Sequence, residues 1–185
     1  MTDWIEFDPA ERLTAGAVGP PGSRRFLIQV EQGHALLTVL VEKEQVALLS
    51  ARILQLLEEF DDLLGDDVDE DDLVPPEVPP VEDGPEPLFR ARLMRIGFDT
   101  VRDLMVLELF EDVPDDIEEI EEMEASGLEP ELPDDLGHAA RIFATPAQMR
   151  GVALRGAEAV ASGRPTCRLC MLPMDPSGHD CPSKN

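Results

Sequence analysis

Four side chains that can ligate a metal lie close together near the C-terminal end of the sequence. Cys167, Cys170, His179 and Cys181 follow the pattern Cys-x2-Cys-x8-His-x-Cys, and they include all three cysteines of the 185-residue chain. Thiolate and imidazole are the usual ligands of structural zinc, which takes four of them in tetrahedral geometry. Because four protein ligands leave no open coordination position, the pattern predicts a structural zinc site rather than a catalytic one.

Two other interpretations of these cysteines remain open. A Cys-x-x-Cys pair also occurs in thiol–disulfide oxidoreductases, but there it accompanies a βαβ pattern that this sequence lacks. The three thiols could also be free and hold no metal. Their clustering and odd number do not fit the framework of a disulfide-stapled secreted domain, so a reducing, cytoplasmic location is expected.

No targeting segment or membrane span is predicted. The N-terminus carries Asp3, Glu6 and Asp8 where a signal peptide needs basic residues followed by an apolar run. No stretch approaches the ~18 consecutive apolar residues of a transmembrane helix.

The acidic residues are concentrated in two segments. Residues 61–83 carry eleven and residues 111–135 carry thirteen, with no basic residue in either. These 24 of the 40 acids leave 16 against 15 Lys and Arg, so the rest of the chain is nearly neutral. We expect one domain over residues 1–164, with acidic inserts near 61–87 and 111–137, followed by a zinc-binding tail over 165–185. Such runs are usually solvated, and they could also bind a basic partner.

The hydrophobic pattern predicts two units in which strands are followed by a helix. In the first unit, residues 24–32 and 35–41 alternate as a hairpin, and residues 42–64 show a helical period. In the second, strands are predicted near residues 89–94, 104–110 and 139–143. A helix then begins at Thr145-Pro146, where a Gln three residues after the Thr completes a capping box.

The fold class that follows is α+β, an antiparallel sheet built from two strands-then-helix units and backed by two helices, with a small C-terminal zinc-binding element. Residues 97–103 are predicted as a turn. The proline-rich residues 73–87 are predicted as an extended linker, because proline cannot pair inside a sheet.

Several arginines lie on or beside the predicted strands. If both hairpins share one sheet, they could form a basic face. Its candidate members are Arg24, Arg25, Arg90 and Arg92, and Arg95 and Arg102 also lie on or beside the predicted strands. Such a sheet is similar in architecture to the Whirly and PUR single-strand binders. The acidic inserts repel phosphate and few aromatic residues are available for stacking, which disfavours nucleic acid. The inserts could instead fold back onto this face as an electrostatic lid.

The C-terminal pattern resembles an actinobacterial family known as domain of unknown function 3090. The resemblance lies in residues 163–170 and 172–182, in the Val41–Leu49 segment, in the Thr145-Pro146-x-Gln148 helix start and in the opening Phe7-Asp8-Pro9-x-x-Arg12. It covers most of the chain except the acidic inserts. The family has no established activity, and its members tend to be encoded beside a kinase-like and a phosphomutase-like protein, which implies an accessory role.

No nucleotide-binding, serine-hydrolase or zinc-protease motif is present, so we expect a non-catalytic protein. The favoured function is that of a zinc-binding adaptor whose partner is another protein. The alternatives are a single-stranded nucleic-acid-binding protein and an accessory subunit of a kinase- or phosphomutase-like system.

Overall fold

The computed structural model describes residues 1–64, 78–84, 86–115, 117, 135–163, 167–172, 174, 178 and 180–184. Within them the strands are β1 (Asp3–Phe7), β2 (Arg12–Val18), β3 (Arg25–Gln32), β4 (Ala35–Val41), β5 (Phe89–Arg90), β6 (Leu93–Asp99), β7 (Leu104–Phe110) and β8 (His138–Ala144). The long helices are α1 (Lys43–Leu64) and α2 (Pro146–Ala161). The chain order is therefore four strands and a helix, twice.

The strands form two sheets whose orders match. Sheet I has the order β5-β4-β3-β2, and sheet II has the order β1-β8-β7-β6. In each sheet, three consecutive strands of one unit pair antiparallel, and the first strand of the other unit adds in parallel to the last of them. Because β1 and β5 are exchanged in this way, the two units are interlocked.

The predicted α+β class and the two strands-then-helix units are confirmed, and the single sheet is replaced by two. A parallel pair needs a long crossover, which α1 supplies between β4 and β5. The predicted hairpins therefore lie in different sheets, with β3–β4 in sheet I and β6–β7 in sheet II.

One hydrophobic core is shared by both sheets and both helices. Its most deeply buried members include Ile28 and Leu107 from the sheets and Ile53 from α1, all fully buried. The helices approach closely at Gly156, where an added Cβ would lie 2.6 Å from Ser50 Oγ. Packing at interior density leaves no room for a larger residue at this crossing.

Two glutamines cap the helices and tie each one to the other unit. Oε1 of each accepts a hydrogen bond from the backbone N–H three residues earlier, at 2.8 Å for Gln45 and 2.9 Å for Gln148. The Nε2 of Gln45 donates to Ala91 O at 3.1 Å, and that of Gln148 donates to Ala10 O at 2.9 Å. The capping box predicted at Thr145 is confirmed.

The described part of the proline-rich segment is bound to sheet I, and residues 73–77 and 85 of the predicted linker lie outside the described residues. Residues 78–84, which we call the strap, cross the outer face of sheet I. Thr14 Oγ1 donates to Pro79 O at 3.0 Å. The Gln29 amide donates to Glu82 O at 2.9 Å and accepts from Glu82 N at 2.8 Å. The prolines lack N–H groups for edge pairing, but the strap's carbonyls still accept hydrogen bonds from side chains of the face.

The predicted turn over residues 97–103 begins too early. Strand β6 continues to Asp99, with Gly97 paired to Val106 and with Ile96 and Phe98 packed against the core. The turn starts after Asp99, whose Oδ1 accepts from the two backbone N–H groups of residues 101 and 102 at 3.1 and 3.2 Å. A glycine in a strand resembles a turn residue in sequence, which explains the error.

Candidate metal site

The three cysteines converge on one point. The Sγ atoms of Cys167, Cys170 and Cys181 all lie within 4.8 Å of one another. Those of Cys167 and Cys181 are 3.8 Å apart, far beyond the ~2.05 Å of a disulfide. Zinc–sulfur bonds of about 2.3 Å place two ligands on a tetrahedral edge of about 3.8 Å. The described residues therefore hold three thiols at a spacing that suits one tetrahedral metal ion.

The fourth predicted ligand, His179, lies outside the described residues. Its part in the site stays a prediction.

A tight chain reversal brings two of these thiols together. We call residues 167–172 the knuckle. Met171 N donates to Cys167 O at 2.9 Å, and Cys167 N donates to Leu172 O at 2.8 Å. Met171 has a φ of 60°, a left-handed conformation that lets the chain turn back immediately after Cys170. The two-residue gap between Cys167 and Cys170 is the spacing that this reversal requires.

Backbone N–H groups of the knuckle point at sulfur. The Leu169 N–H donates to Cys167 Sγ at 3.4 Å. The N–H groups of Cys170 and Leu169 lower the pKa of the Cys167 thiol to about 7, against the effect of burial. Such donors stabilise a thiolate, which is the form that ligates metal.

Cys170 shows the opposite shift. The Leu172 N–H lowers the pKa of its thiol, but burial and the adjacent Cys167 and Cys181 thiols together raise it above the ordinary value. Several thiolates this close repel one another unless a cation lies between them, so the donor set fits a soft divalent metal such as zinc.

The knuckle also displays apolar side chains. Leu169, Met171 and Leu172 are 60%, 70% and 49% exposed. Three exposed apolar side chains within four residues form a patch beside the thiols, whereas singly scattered ones would need no explanation.

The four arginines of the predicted basic face occupy separate environments. Arg25 forms ion pairs with Asp83 at 3.0 Å and Glu86 at 3.2 Å, at the end of the strap and just beyond it. Arg90 pairs with Glu42 at 2.9 Å.

The other two arginines contact different groups. Arg24 donates to Ser162 Oγ at 3.0 Å, just after the end of α2. Arg92 precedes β6 of sheet II, and its charge is one of the causes that lower the pKa of Glu111, after the hydrogen bonds from His138.

A row of alternating charges that the sequence reasoning did not single out crosses sheet II. Its members occupy consecutive register positions on β1, β8, β7 and β6: Glu6, Arg141, Glu108 and Arg95. Arg141 pairs with Glu108 at 2.8 Å, and its guanidinium lies 4.3 Å from the Trp4 ring centroid. The available signal was a charged residue near the centre of each strand, which marks a solvent-facing side but gives no pairing.

Fold and site together define an α+β protein of two interlocked units with a C-terminal thiol cluster that can hold a metal. The family model described as protein of unknown function (DUF3090) matches residues 5–181, and the chain belongs to this family, as its motifs predicted. No curated protein and no solved structure shows significant similarity to it. Over the described residues, every helix is too short or too polar to cross a membrane.

Proposed function

We propose that this protein is a non-catalytic, zinc-binding adaptor that docks onto another protein. The observation that carries the proposal is the arrangement of Cys167, Cys170 and Cys181, with two sulfurs at the spacing of a tetrahedral edge. His179 would complete the ligand set. The metal would act as a structural crosslink that fixes the tail and supplies no chemical step.

The protein-binding part of the proposal is supported by the apolar side chains on the knuckle. A metal crosslink holds a short, core-poor segment in one conformation, so that its side chains are presented without a large ordering cost. Leu169 and Met171 are exposed next to the thiols and are therefore the first side chains that a partner would contact.

Metal content tests the proposal directly. Protein purified without chelators should contain about one zinc per chain, and less than about a tenth of that would refute the zinc site. Cys170→Ser and His179→Ala should each lower the zinc content, while Lys184→Ser, also in the tail, should leave it unchanged. Chelation should increase proteolysis of the tail and leave the rest of the chain folded.

The docking patch needs a variant that keeps the metal. The double substitution Leu169→Ser with Met171→Gly should retain zinc, since glycine readily adopts the left-handed φ of position 171. It should lose a partner captured by the wild-type protein and identified by mass spectrometry. Equal capture by both proteins would show that the patch is not the docking surface.

Single-stranded nucleic-acid binding is the second candidate. It is favoured by the outer face of sheet II, where arginines lie over the rings of Trp4 and Phe143. Carboxylates pair with these same arginines, with Asp8 beside Arg102 and Glu108 beside Arg141, so a phosphate would have to displace them. A mobility shift of mixed oligonucleotides at low salt, using protein with both acidic inserts deleted, would favour this candidate.

A further inference from the structure

The outer faces of the two sheets correspond position by position. The described residues cover the centre of sheet I, whereas on sheet II they bury only one end, around Phe110 and Ala139. One residue before β2, Glu11 N donates to Glu31 O, and one residue before β6, Arg92 N donates to Phe110 O in the same way. The two seven-residue strands therefore align, and each has a glycine as its fifth residue, Gly16 in β2 and Gly97 in β6.

On sheet I the glycine makes room for the strap. An added Cβ at Gly16 would lie 3.0 Å from Val81 Cγ2, so Val81 occupies the space above the strand. Its register partner Leu27 is 2% exposed, and the neighbouring Thr14 and Gln29 are 0% and 2% exposed under the same segment. A glycine inside a strand commonly marks a position where another backbone approaches closely.

On sheet II no described residue occupies the space above the corresponding glycine. Among the described residues, no atom outside its own neighbours lies within 4 Å of a Cβ built on Gly97. Gly97 is exposed, its φ lies outside the left-handed region, and it pairs in register with Val106. Neither the backbone nor packing within the described chain requires glycine here, although glycine weakens a strand interior.

The side chains beside Gly97 can also serve an extended chain. Thr14, which donates to a strap carbonyl, corresponds to Arg95, also a donor; Gln29, which accepts from a strap N–H, corresponds to Glu108, an acceptor. The half-buried Val106 adds an apolar surface that a bound side chain could contact.

We propose that the outer face of sheet II, centred on Gly97, Val106, Arg95 and Glu108, binds an extended, proline-containing segment of a partner protein, with a β-branched aliphatic side chain seated over Gly97. The strap shows what kind of segment fits such a face, because it is an extended Val-Pro-Pro-Val segment bound to the corresponding face of sheet I. This inference deepens the proposed protein-binding function and rests on it, but it uses a surface distinct from the knuckle.

The carboxylates of this face favour a peptide over a nucleic acid. Glu108 faces both Arg95, at 3.7 Å, and Arg141, at 2.8 Å. The arginines of the row are thus balanced by acids at contact distance, so the face offers little net attraction to a phosphate chain. A peptide backbone needs only single donors and acceptors, and a guanidinium with five N–H groups and a carboxylate with two oxygens can each make several such contacts.

The test uses a defined probe, the nine-residue peptide with the sequence of residues 76–84, titrated into full-length, isotope-labelled protein. Sheet I should remain occupied by its own strap, since a tethered segment has a high effective concentration. The amide signals of Gly97 and Val106 should shift. The Gly97→Val variant should bind the peptide at least about tenfold more weakly, because the new valine side chain occupies the space that the peptide's aliphatic residue would fill. Its melting temperature should be unchanged or higher, since valine favours strands.

Thr100→Val, in the adjacent turn, is the matched control and should bind like the wild type. The proposal is overturned if the peptide shifts no signals of β6 and β7, if Gly97→Val binds as well as wild type, or if Gly97→Val lowers the melting temperature, which would mark the glycine as structural. Shifts of the same signals by a deoxythymidine oligonucleotide and not by the peptide would assign the face to nucleic acid. Zinc content measured on the same samples separates failure of this inference from failure of the metal site.

Discussion

The two units of this protein build the same hairpin and end it in different ways. Strands β3 and β4 are joined through the two-residue turn Gly33-His34, and Gln32 pairs with Ala35. At the corresponding place, β7 and β8 are joined through the second acidic insert, yet Glu111 N still donates to His138 O at 2.9 Å. An insert placed beyond the last pair of a hairpin leaves the ladder and its core face intact. This explains how a near-neutral fold tolerates so many acids.

The described ends of the two acidic inserts lie against different parts of the fold, the first on the face of sheet I and the second, at Leu136, on Phe110 and Ala139 of sheet II. The first insert follows α1, and its end returns as the strap across sheet I, with Asp83 paired to Arg25. At this end of the insert Asp83 and Glu86 pair with Arg25, and the electrostatic lid over a basic face stays a prediction. Among the described residues, the units thus share a core and differ in what covers their outer faces.

The shared core gives the largest expected effect. Ile28 of β3 and Leu107 of β7 correspond in the two units, and each is fully buried in the same cluster. Ile28→Ala and Leu107→Ala should each lower the free energy of unfolding by about 2–5 kcal/mol, through lost burial and a residual cavity. Because β1 and β5 are exchanged, either substitution should lower the unfolding midpoint of both units together.

Urea unfolding followed by circular dichroism and by the fluorescence of Trp4, the single tryptophan, measures this. Trp4 lies on β1 in sheet II, so Ile28→Ala, made in sheet I, is the informative variant. Leu48→Ala, at a 72% exposed position of α1, is the control and should change the free energy of unfolding by less than about 0.5 kcal/mol. A Trp4 midpoint that stays at the wild-type value in Ile28→Ala would show that the units unfold separately.

The elements that the sequence predicted well are those fixed by neighbouring residues. The β3–β4 hairpin follows from alternation around Gln32-Gly33, and α2 follows from the Thr145–Gln148 capping box. The pairing of β1 with β8 was not predictable in this way, since it joins Trp4 to Ala139 and leaves no local signal. Such pairings are decided by which faces remain to be buried once the local elements have formed.

The candidate sites also differ in whether neighbouring residues determine them. The Cys167–Cys170 spacing is local, so the knuckle and its thiols could be predicted from it. The strap could not, because its partners Thr14 and Gln29 look like solvent-facing polar residues in an alternating strand. Both are buried only because a segment more than fifty residues away along the chain hydrogen-bonds to them, 65 positions from Thr14 and 53 from Gln29.

A smaller effect is expected where the helix caps join the units. Gln45→Ala and Gln148→Ala each remove a cap acceptor and a donor to the other unit. Each should lower the free energy of unfolding by about 1–2 kcal/mol. Similar losses in thermal or urea unfolding would confirm that the caps are equivalent.

Gln148→Glu keeps the acceptor but places a carboxylate beside Ala10 O, so it should be at least as destabilising as the alanine variant. A stability equal to wild type in Gln148→Glu would show that the inter-unit bond contributes nothing.

The smallest effect concerns pH, and it arises where the hairpin ends differ. Glu111 Oε2 accepts from His138 N at 3.0 Å and lies 2.7 Å from His138 Nδ1, whereas the corresponding Gln32 of the first unit has no charge. The His138 backbone and ring hydrogen bonds hold the pKa of Glu111 below its ordinary 4.5. The unfolded chain therefore binds more protons in this range. The stabilisation from Glu111 is complete above about pH 4.5 and is lost as the pH falls through the lowered value.

Glu111→Gln should consequently flatten the acid side of the stability profile. Urea midpoints of wild type and variant, compared from about pH 7 down to about pH 3, should converge as the pH falls, because only the wild type loses the carboxylate's contribution. Asp115→Asn removes a charge at an exposed position of the same segment and controls for net charge. A wild-type advantage that stays constant over the whole range would mean that the Glu111–His138 contact acts through neutral hydrogen bonds. The two hairpin ends would then be equivalent in chemistry as well as in backbone pairing.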